Sequence, residues 1–361
     1  MAEYDAGQFD IAVVGAGHMG PRRAGRTSVR TSVLPQAKPW RKAEFTSTAQ
    51  TKNGVPMGLD PWGVHRHARG SGAVRTKLHG PVFEEGAFMS TMMQIRGDDP
   101  IIGQLLAGPD EVTYHLIALI RRGDRPLLET DGAHFLAAQS TPRLPLWLWL
   151  RSAGRDASRD ALLDVLLRRL AQNQALSVNA PEGAQGLMRE AGERAGLSVR
   201  THMVMNAYAC YHLCPTGGSG RPVVPGAEHR TAMAELLRQL ARDGGGESIS
   251  ESAAFGFADA MVGSPSLILW EDGGEIVSMA MIADRDEKYA RINTVVTRRD
   301  KRALGYAGLA AGELSRRILD DGLIPMLYAD RSSPASNRTY QRLGYEKQGE
   351  IAEFRFGAPV V

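Results

Sequence analysis

The stretch Ala290-Arg291-Ile292-Asn293-Thr294-Val295-Val296-Thr297-Arg298-Arg299-Asp300-Lys301-Arg302-Ala303-Leu304-Gly305-Tyr306-Ala307 decides how this chain folds. Its first part is rich in β-branched residues (Ile292, Thr294, Val295, Val296, Thr297), which suit a pleated strand. Its end opens a helix, because Ala307, Ala310, Leu314 and Ile318 recur at spacings of three and four. Between the two lies a basic loop, Arg302-x-x-Gly305-x-Ala307, with small residues where a backbone must come close to a ligand. The first amides of a helix have no partner inside it, and its dipole favours negative charge there. Strand, small-residue loop and helix N-terminus in this order make a diphosphate cradle.

Further on, Leu327-Tyr328-Ala329-Asp330 ends a second strand, and Ser336-Asn337 begins a short helix that carries Tyr340. Leu343-Gly344-Tyr345 then turns into a last strand ending near Phe356. The two motifs, in this order, resemble the acetyl-CoA-binding half of the GNAT superfamily of N-acetyltransferases, over roughly Arg230 to Phe356. The resemblance implies an α/β (α+β) fold, a mixed central sheet flanked by helices, with acetyl-CoA as co-substrate and no metal. It implies that Asn293, Thr294, Val295, Val296 and Thr297 pair through their backbone with the pantetheine arm. Amides of Arg302, Ala303, Leu304, Gly305, Tyr306 and Ala307 would take the diphosphate, with Arg302 adding charge. Asn337 matches the position that contacts the CoA arm, and Tyr340 the tyrosine that protonates the departing thiolate. Arg298-Arg299-Asp300-Lys301 departs from the pattern, since similar proteins carry smaller residues or proline there. The general base is not readable: Glu251, Asp259, Asp284, Glu287 and a chain of waters all stay open.

The implied activity is transfer of an acetyl group to a primary amine, on a small molecule or a peptide, by direct attack in a ternary complex. The alternatives are a CoA-binding module without catalysis and a nucleic-acid-binding protein acting through its basic N-terminal arm.

Working outward, His229 to Arg242 reads as a helix with Met233, Leu236, Leu237 and Leu240 on one face, stopped by Gly244-Gly245-Gly246. Ser248 to Met261 reads as another, capped at Ser248 or Ser250. Ser266 to Trp270 and Glu275 to Ile282 form a hairpin across Glu271-Asp272-Gly273-Gly274. Residues 229–361 are therefore the catalytic domain, and 215–228, with Pro215-Thr216-Gly217-Gly218-Ser219-Gly220, a linker. Residues 83–214 read as a smaller α/β domain: strands at Val112–Ile120 and Pro145–Leu150, a helix at Asp160–Leu170, a strand at Leu176–Asn179, a helix from Glu182 to Ala195, and a strand from Val199 to Cys210. That order fits a second, degenerate GNAT-like half without a CoA loop.

Composition bounds the rest. Of the 361 residues, the first 80 hold 12 Lys/Arg against 5 Asp/Glu, so the alkaline balance belongs to the arm, not to the folded body. Residues 1–82 lack helical periodicity and read as a disordered basic extension. Within it, Val13-Val14-Gly15-Ala16-Gly17-His18-Met19-Gly20 imitates a dinucleotide fingerprint. However, Pro21-Arg22-Arg23 replaces the helix, and no acid stands where a ribose would need one. No apolar run reaches the length of a membrane span, and no basic, apolar leader opens the chain, so a cytoplasmic protein is expected. Cys210 and Cys214 imply neither a disulfide framework nor, with His212 alone beside them, a four-ligand zinc site.

Overall fold

The computed structural model describes residues 92–151, 156–244 and 249–358, all in one compact unit. The expected basic arm and its glycine-rich stretch lie outside the described residues.

The chain begins with a two-residue strand, β1 (Met93–Gln94), and three short helices, α1 (Ile101–Leu105), α2 (Pro109–Thr113) and α3 (His115–Ile120). Here the sequence reading is corrected, because Val112–Ile120 was expected to be a strand. A short apolar run such as His115-Leu116-Ile117-Ala118-Leu119-Ile120 has no period that separates strand from buried helix, and Pro109 at a first helical position starts the helical course. A meander follows: β2 (Leu127–Thr130), β3 (Phe135–Gln139) and β4 (Leu146–Leu150). Then come α4 (Asp156–Gln172), β5 (Ser177–Ala180), α5 (Gln185–Ala195) and the long β6 (Ser198–Ala209).

After β7 (Arg221–Val223) the pattern repeats. Helices α6 (Arg230–Asp243) and α7 (Glu251–Met261) precede the meander β8 (Leu267–Asp272), β9 (Glu275–Arg285) and β10 (Tyr289–Thr297). Next are α8 (Tyr306–Asp320), β11 (Ile324–Asp330), α9 (Pro334–Arg342) and β12 (Glu346–Gly357). Of the two expected caps of α7, Ser250 serves, its hydroxyl accepting from the Ala253 amide at 3.1 Å. The stretch expected as a linker is anchored to the sheet. β7 pairs with β8, and the Ser219 carbonyl accepts from Trp270 Nε1 at 2.9 Å.

All the strands form one sheet in the order β1-β2-β3-β4-β5-β12-β6-β11-β10-β9-β8-β7. That order shows that the two halves exchange their last strands. β12 closes the first half by pairing antiparallel with β5, and β6 closes the second by pairing antiparallel with β11. β6 and β12 then pair with each other along their whole length, from Glu346↔Ala209 to Gly357↔Ser198. Neither half can lift away without breaking a central ladder. Such non-local pairing is beyond any local sequence signal.

Each half buries a helix layer on either face. In the first, α4 and α5 cover Phe135, Leu146, Leu148 and Phe354, while α1 to α3 cover Leu136, Trp147, Trp149 and Met205. In the second, α6 and α7 cover Leu267, Leu269, Met279 and Val296. On the other face α8 covers Ile268, Ala280, Ala290 and Ile292. Leu314 and Ile318, the stripe read from the sequence, are completely buried, and each stabilises the fold by about 2 kcal/mol through removal of apolar surface from water.

Candidate active site

Three features of the second half converge at the C-terminal end of β10. The first is an opening in the sheet. β10 and β11 pair in parallel only at Tyr289↔Ile324, Ala290↔Pro325 and Arg291↔Met326. Beyond that point β11 continues against β6 alone, so Ile292 to Thr297 turn one backbone edge away from β11. The ladder between β10 and β9 also slips between Asn293 and Val296, and Thr294 has φ +53°. A β-branched residue at positive φ costs about 1–3 kcal/mol and persists only where its neighbours enforce it. They do so here: Thr294 Oγ1 donates to Asn293 Oδ1 at 3.0 Å, Ser278 Oγ to the Val296 carbonyl at 2.8 Å, and Gln239 Nε2 to the Thr297 carbonyl at 2.7 Å. The bulge also reverses the alternation of faces, which is why Ile292 lies under α8 and Val296 under α6 and α7.

The second feature is the loop into α8. Ala303 and Gly305 both have positive φ, +63° and +90°, an arrangement that turns successive amides to one side. α8 starts with no side-chain cap, leaving its first amides to an outside acceptor. A Cβ built on Gly305 meets nothing within 4 Å, so the space in front of the helix is open. Leu304 projects from the loop, 61% exposed.

The basic side chains around this loop are already committed. Arg302, expected to add charge to the cradle, forms an ion pair with Asp243. Arg299 reaches the same carboxylate at 2.6 Å. Burial alone would raise the Asp243 carboxyl, but hydrogen bonds from Arg299 and Arg302 hold it below the usual range. Arg298 and Lys301 both pair with Glu275, at 3.4 and 3.3 Å. Tyr306 directs its hydroxyl to Asp272, so only its amide is left to face a ligand. What this loop has left to offer a ligand is therefore backbone, with the guanidinium groups of Arg299 and Arg302 held by Asp243.

The third feature is α9, whose Tyr340 joins a buried cluster with Ala311, Leu327 and Ala329, against which Val295 of β10 packs. Tyr340 is 9% exposed and packs edge-on to Tyr345 at 5.9 Å between ring centres. Its hydroxyl bonds no described residue, whereas Tyr345 shares its own with Ser315 at 2.7 Å. Burial pushes the Tyr340 phenol up to about 12, so it holds its proton at neutral pH, as a donor must. Asn337, expected to contact the CoA arm, has every hydrogen-bonding capacity of its side-chain amide used within the protein. Its Nδ2 donates to the carbonyls of Asp330 and Ser333, both at 2.7 Å. Its Oδ1 accepts from Asn206 Nδ2 at 2.7 Å and Tyr208 Oη at 2.9 Å.

The candidate bases are dispersed. Asp259 pairs with Arg230, Glu287 with Arg122, and Glu251 is the exposed first residue of α7. Asp284 lies in a buried network that the sequence did not signal, accepting from Arg291 Nε at 2.8 Å and lying 3.1 Å from His115 Nε2. It ties α3 to the β9–β10 hairpin. Among the described residues no His, Cys, Asp and Glu cluster could hold a metal ion. No helix there is long and apolar enough to cross a membrane.

Among the described residues the first half repeats this scaffold with two differences, at the tyrosine and at the strand opening. The turn after α5, in which the Leu197 amide donates to the Gly192 carbonyl, repeats the turn after α9, in which the Tyr345 amide donates to the Tyr340 carbonyl. Gly192 thus stands where Tyr340 stands, and a Cβ there would lie 2.9 Å from the Leu197 carbonyl oxygen. When β6 and β12 are matched as counterparts, Val178 and Asn179 pair with β12 at the places equivalent to those where Ala329 and Asp330 pair with β6. Val178 and Asn179 are still paired to β4, so the first half is closed where the second is open.

The comparisons bear on the fold. Residues 274–354 match a family model described as FR47-like protein. The solved structure of a GCN5-related N-acetyltransferase from Sphaerobacter thermophilus superposes with a TM-score of 0.52 at 16% identity, covering 75% of this chain and 96% of that one. The chain has the GNAT fold. Other similar GNAT structures include a GCN5-related N-acetyltransferase from Kribbella flavida (TM-score 0.47, 17% identity, 70% of this chain and 96% of that one). Another is a tandem GNAT protein from the clavulanic acid biosynthesis pathway (TM-score 0.39, 11% identity, 75% and 99%). No curated protein matches the chain.

Buried phenols give a pH signature of this fold. Tyr340 and Tyr289 are raised from 10.0 to about 12, mainly by burial, and Tyr114, Tyr328 and Tyr345 are also raised by burial. Above pH 10 the unfolded chain sheds phenolic protons that the folded chain keeps, so stability is full below that pH and falls as pH rises towards 12. Urea denaturation at a series of alkaline pH values should show this decline; a flat profile would mean these rings titrate freely.

Proposed function

We propose that this protein is an N-acetyltransferase that moves an acetyl group from acetyl-CoA to a primary amine in a ternary complex. The GNAT fold supports acyl transfer in general. The observation that carries the finer reading is the parting of β10 from β11 beside a positive-φ loop that opens an uncapped helix. The residues fit the cofactor: the strand edge from Asn293 to Thr297 offers backbone donors and acceptors to an amide-containing arm. The amides from Ala303 to Ala307 suit a diphosphate.

The thioester supplies the activated acyl group. The amine forms its bond to the carbonyl carbon as the C–S bond breaks. Tyr340 Oη gives its proton to the departing sulfur, and the proton shed by the nitrogen restores the balance. The acceptor is a small-molecule or peptide amine; its identity rests with the loops around the opening.

Calorimetric titration of acetyl-CoA should give a dissociation constant of about 1–100 μM, within the range of ordinary enzyme substrates. A panel of amines should then release free CoA thiol. Absence of binding would overturn the reading, and binding without release to any amine would leave a CoA-binding module.

A further inference from the structure

Among the described residues the first half has no strand opening and has a glycine in place of the tyrosine, yet it lends β6 to the second half. Two neighbouring side chains of that strand, Asn206 (6% exposed) and Tyr208 (1%), face α9. Both donate to one atom, Asn337 Oδ1, at 2.7 and 2.9 Å. From its other end the same amide holds the last carbonyl of β11 and the Ser333 carbonyl in front of α9. Asn337 is therefore the point at which strand exchange, strand end and helix start are joined. Tyr340 follows three residues later on the same face of α9, and both are buried.

Four hydrogen bonds on one buried amide fix the rotation of α9 about its axis as well as its position, because an amide is planar and its donors and acceptor point in set directions. The Tyr340 ring has only packing contacts of its own, chiefly the edge-on contact with Tyr345. The direction of its hydroxyl is thus inherited from the backbone that Asn337 holds.

We propose that Asn206 and Tyr208 are positioning residues for acyl transfer, acting through Asn337 to aim the Tyr340 hydroxyl, so that the first half serves catalysis in the second. This rests on Tyr340 being the proton donor proposed above. It also accounts for Asn337 having no capacity left for a ligand. Small errors in placing a proton donor are costly, a displacement of about 1 Å being worth up to about a hundredfold in rate. Removing one of the two donors to Asn337 loosens its aim without removing it.

The test is a double-mutant cycle in the full chain, Tyr208→Phe against Tyr340→Phe, with Asn206→Ala as an independent variant. Tyr208→Phe keeps the ring in the core and deletes only the donated hydrogen bond. It should lower kcat about tenfold while leaving the acetyl-CoA dissociation constant unchanged. In the Tyr340→Phe background the same change should cost nothing further, because there is no hydroxyl left to aim. Asn206→Ala should follow the same pattern. If either substitution lowers kcat by the same factor with and without Tyr340, the strand acts by general stability and the inference is overturned. An unchanged kcat in the single variants overturns it equally. If the parent protein neither binds acetyl-CoA nor turns over, the acyltransferase reading itself has failed and the positioning role falls with it.

Discussion

Gly305→Glu should weaken acetyl-CoA binding about a hundredfold while leaving the protein folded. At φ +90° and ψ −2° a side chain is strained, by about 1–2 kcal/mol. That cost is partly offset, because the new carboxylate sits at the N-terminus of α8, where the helix dipole stabilises an anion by roughly 0.3–1 kcal/mol. There is room for it, since nothing lies within 4 Å of the built Cβ. The same carboxylate would occupy the place proposed for the diphosphate and repel it, so affinity should fall far more than stability. Gly305→Ala carries the strain without the charge and separates the two effects. Calorimetric titration of both variants, with melting curves beside them, reads the result. Undiminished binding to Gly305→Glu would remove the cradle from this loop. An Arg302→Glu change is a poorer probe, because it would put a second carboxylate beside that of Asp243 and remove a brace.

Tyr340→Phe should lower kcat by about a hundredfold or more, within the usual range for loss of a positioned proton donor. Acetyl-CoA affinity should hold, since the ring and its contact with Tyr345 remain. Stability should change by less than about 0.5 kcal/mol, because the hydroxyl makes no hydrogen bond with any described residue and its loss strands no partner. The pH dependence has a definite sign. With the phenol raised to about 12 by burial, the donor stays protonated through the physiological range. The parent rate should therefore climb as the acceptor amine loses its proton, with no falling limb below about pH 10. Steady-state kinetics over pH 6–10 test both points. A Tyr340→Phe enzyme with unchanged kcat would reduce the tyrosine to a core ring.

Much of the second half was legible because its signals are local. The β-branched run at Ile292–Thr297, the stripe from Ala307 to Ile318 and the glycine between α9 and β12 each act within a few residues of themselves. The run at Val112–Ile120 misled for the same reason. It is apolar without a period, and its helical form is settled by burial of Ile117 and Val112 against other parts of the chain. The partners of Asn337 were not legible for a different reason, since two of the four are residues of the first half, far away in sequence.

What the sequence determined by itself is the pair of backbone devices, a loop with glycine at a left-handed position and a helix that opens without a cap. Those depend on which residues tolerate which φ and on amides that no neighbour satisfies. What only the tertiary structure decided is the exchange of β6 and β12, the closing of the first half against β4 and the use of Asn337 as a joint. Pairing between strands more than a hundred residues apart is fixed by which buried faces and hydrogen-bonding edges can be satisfied together, and no stretch of chain carries that information alone.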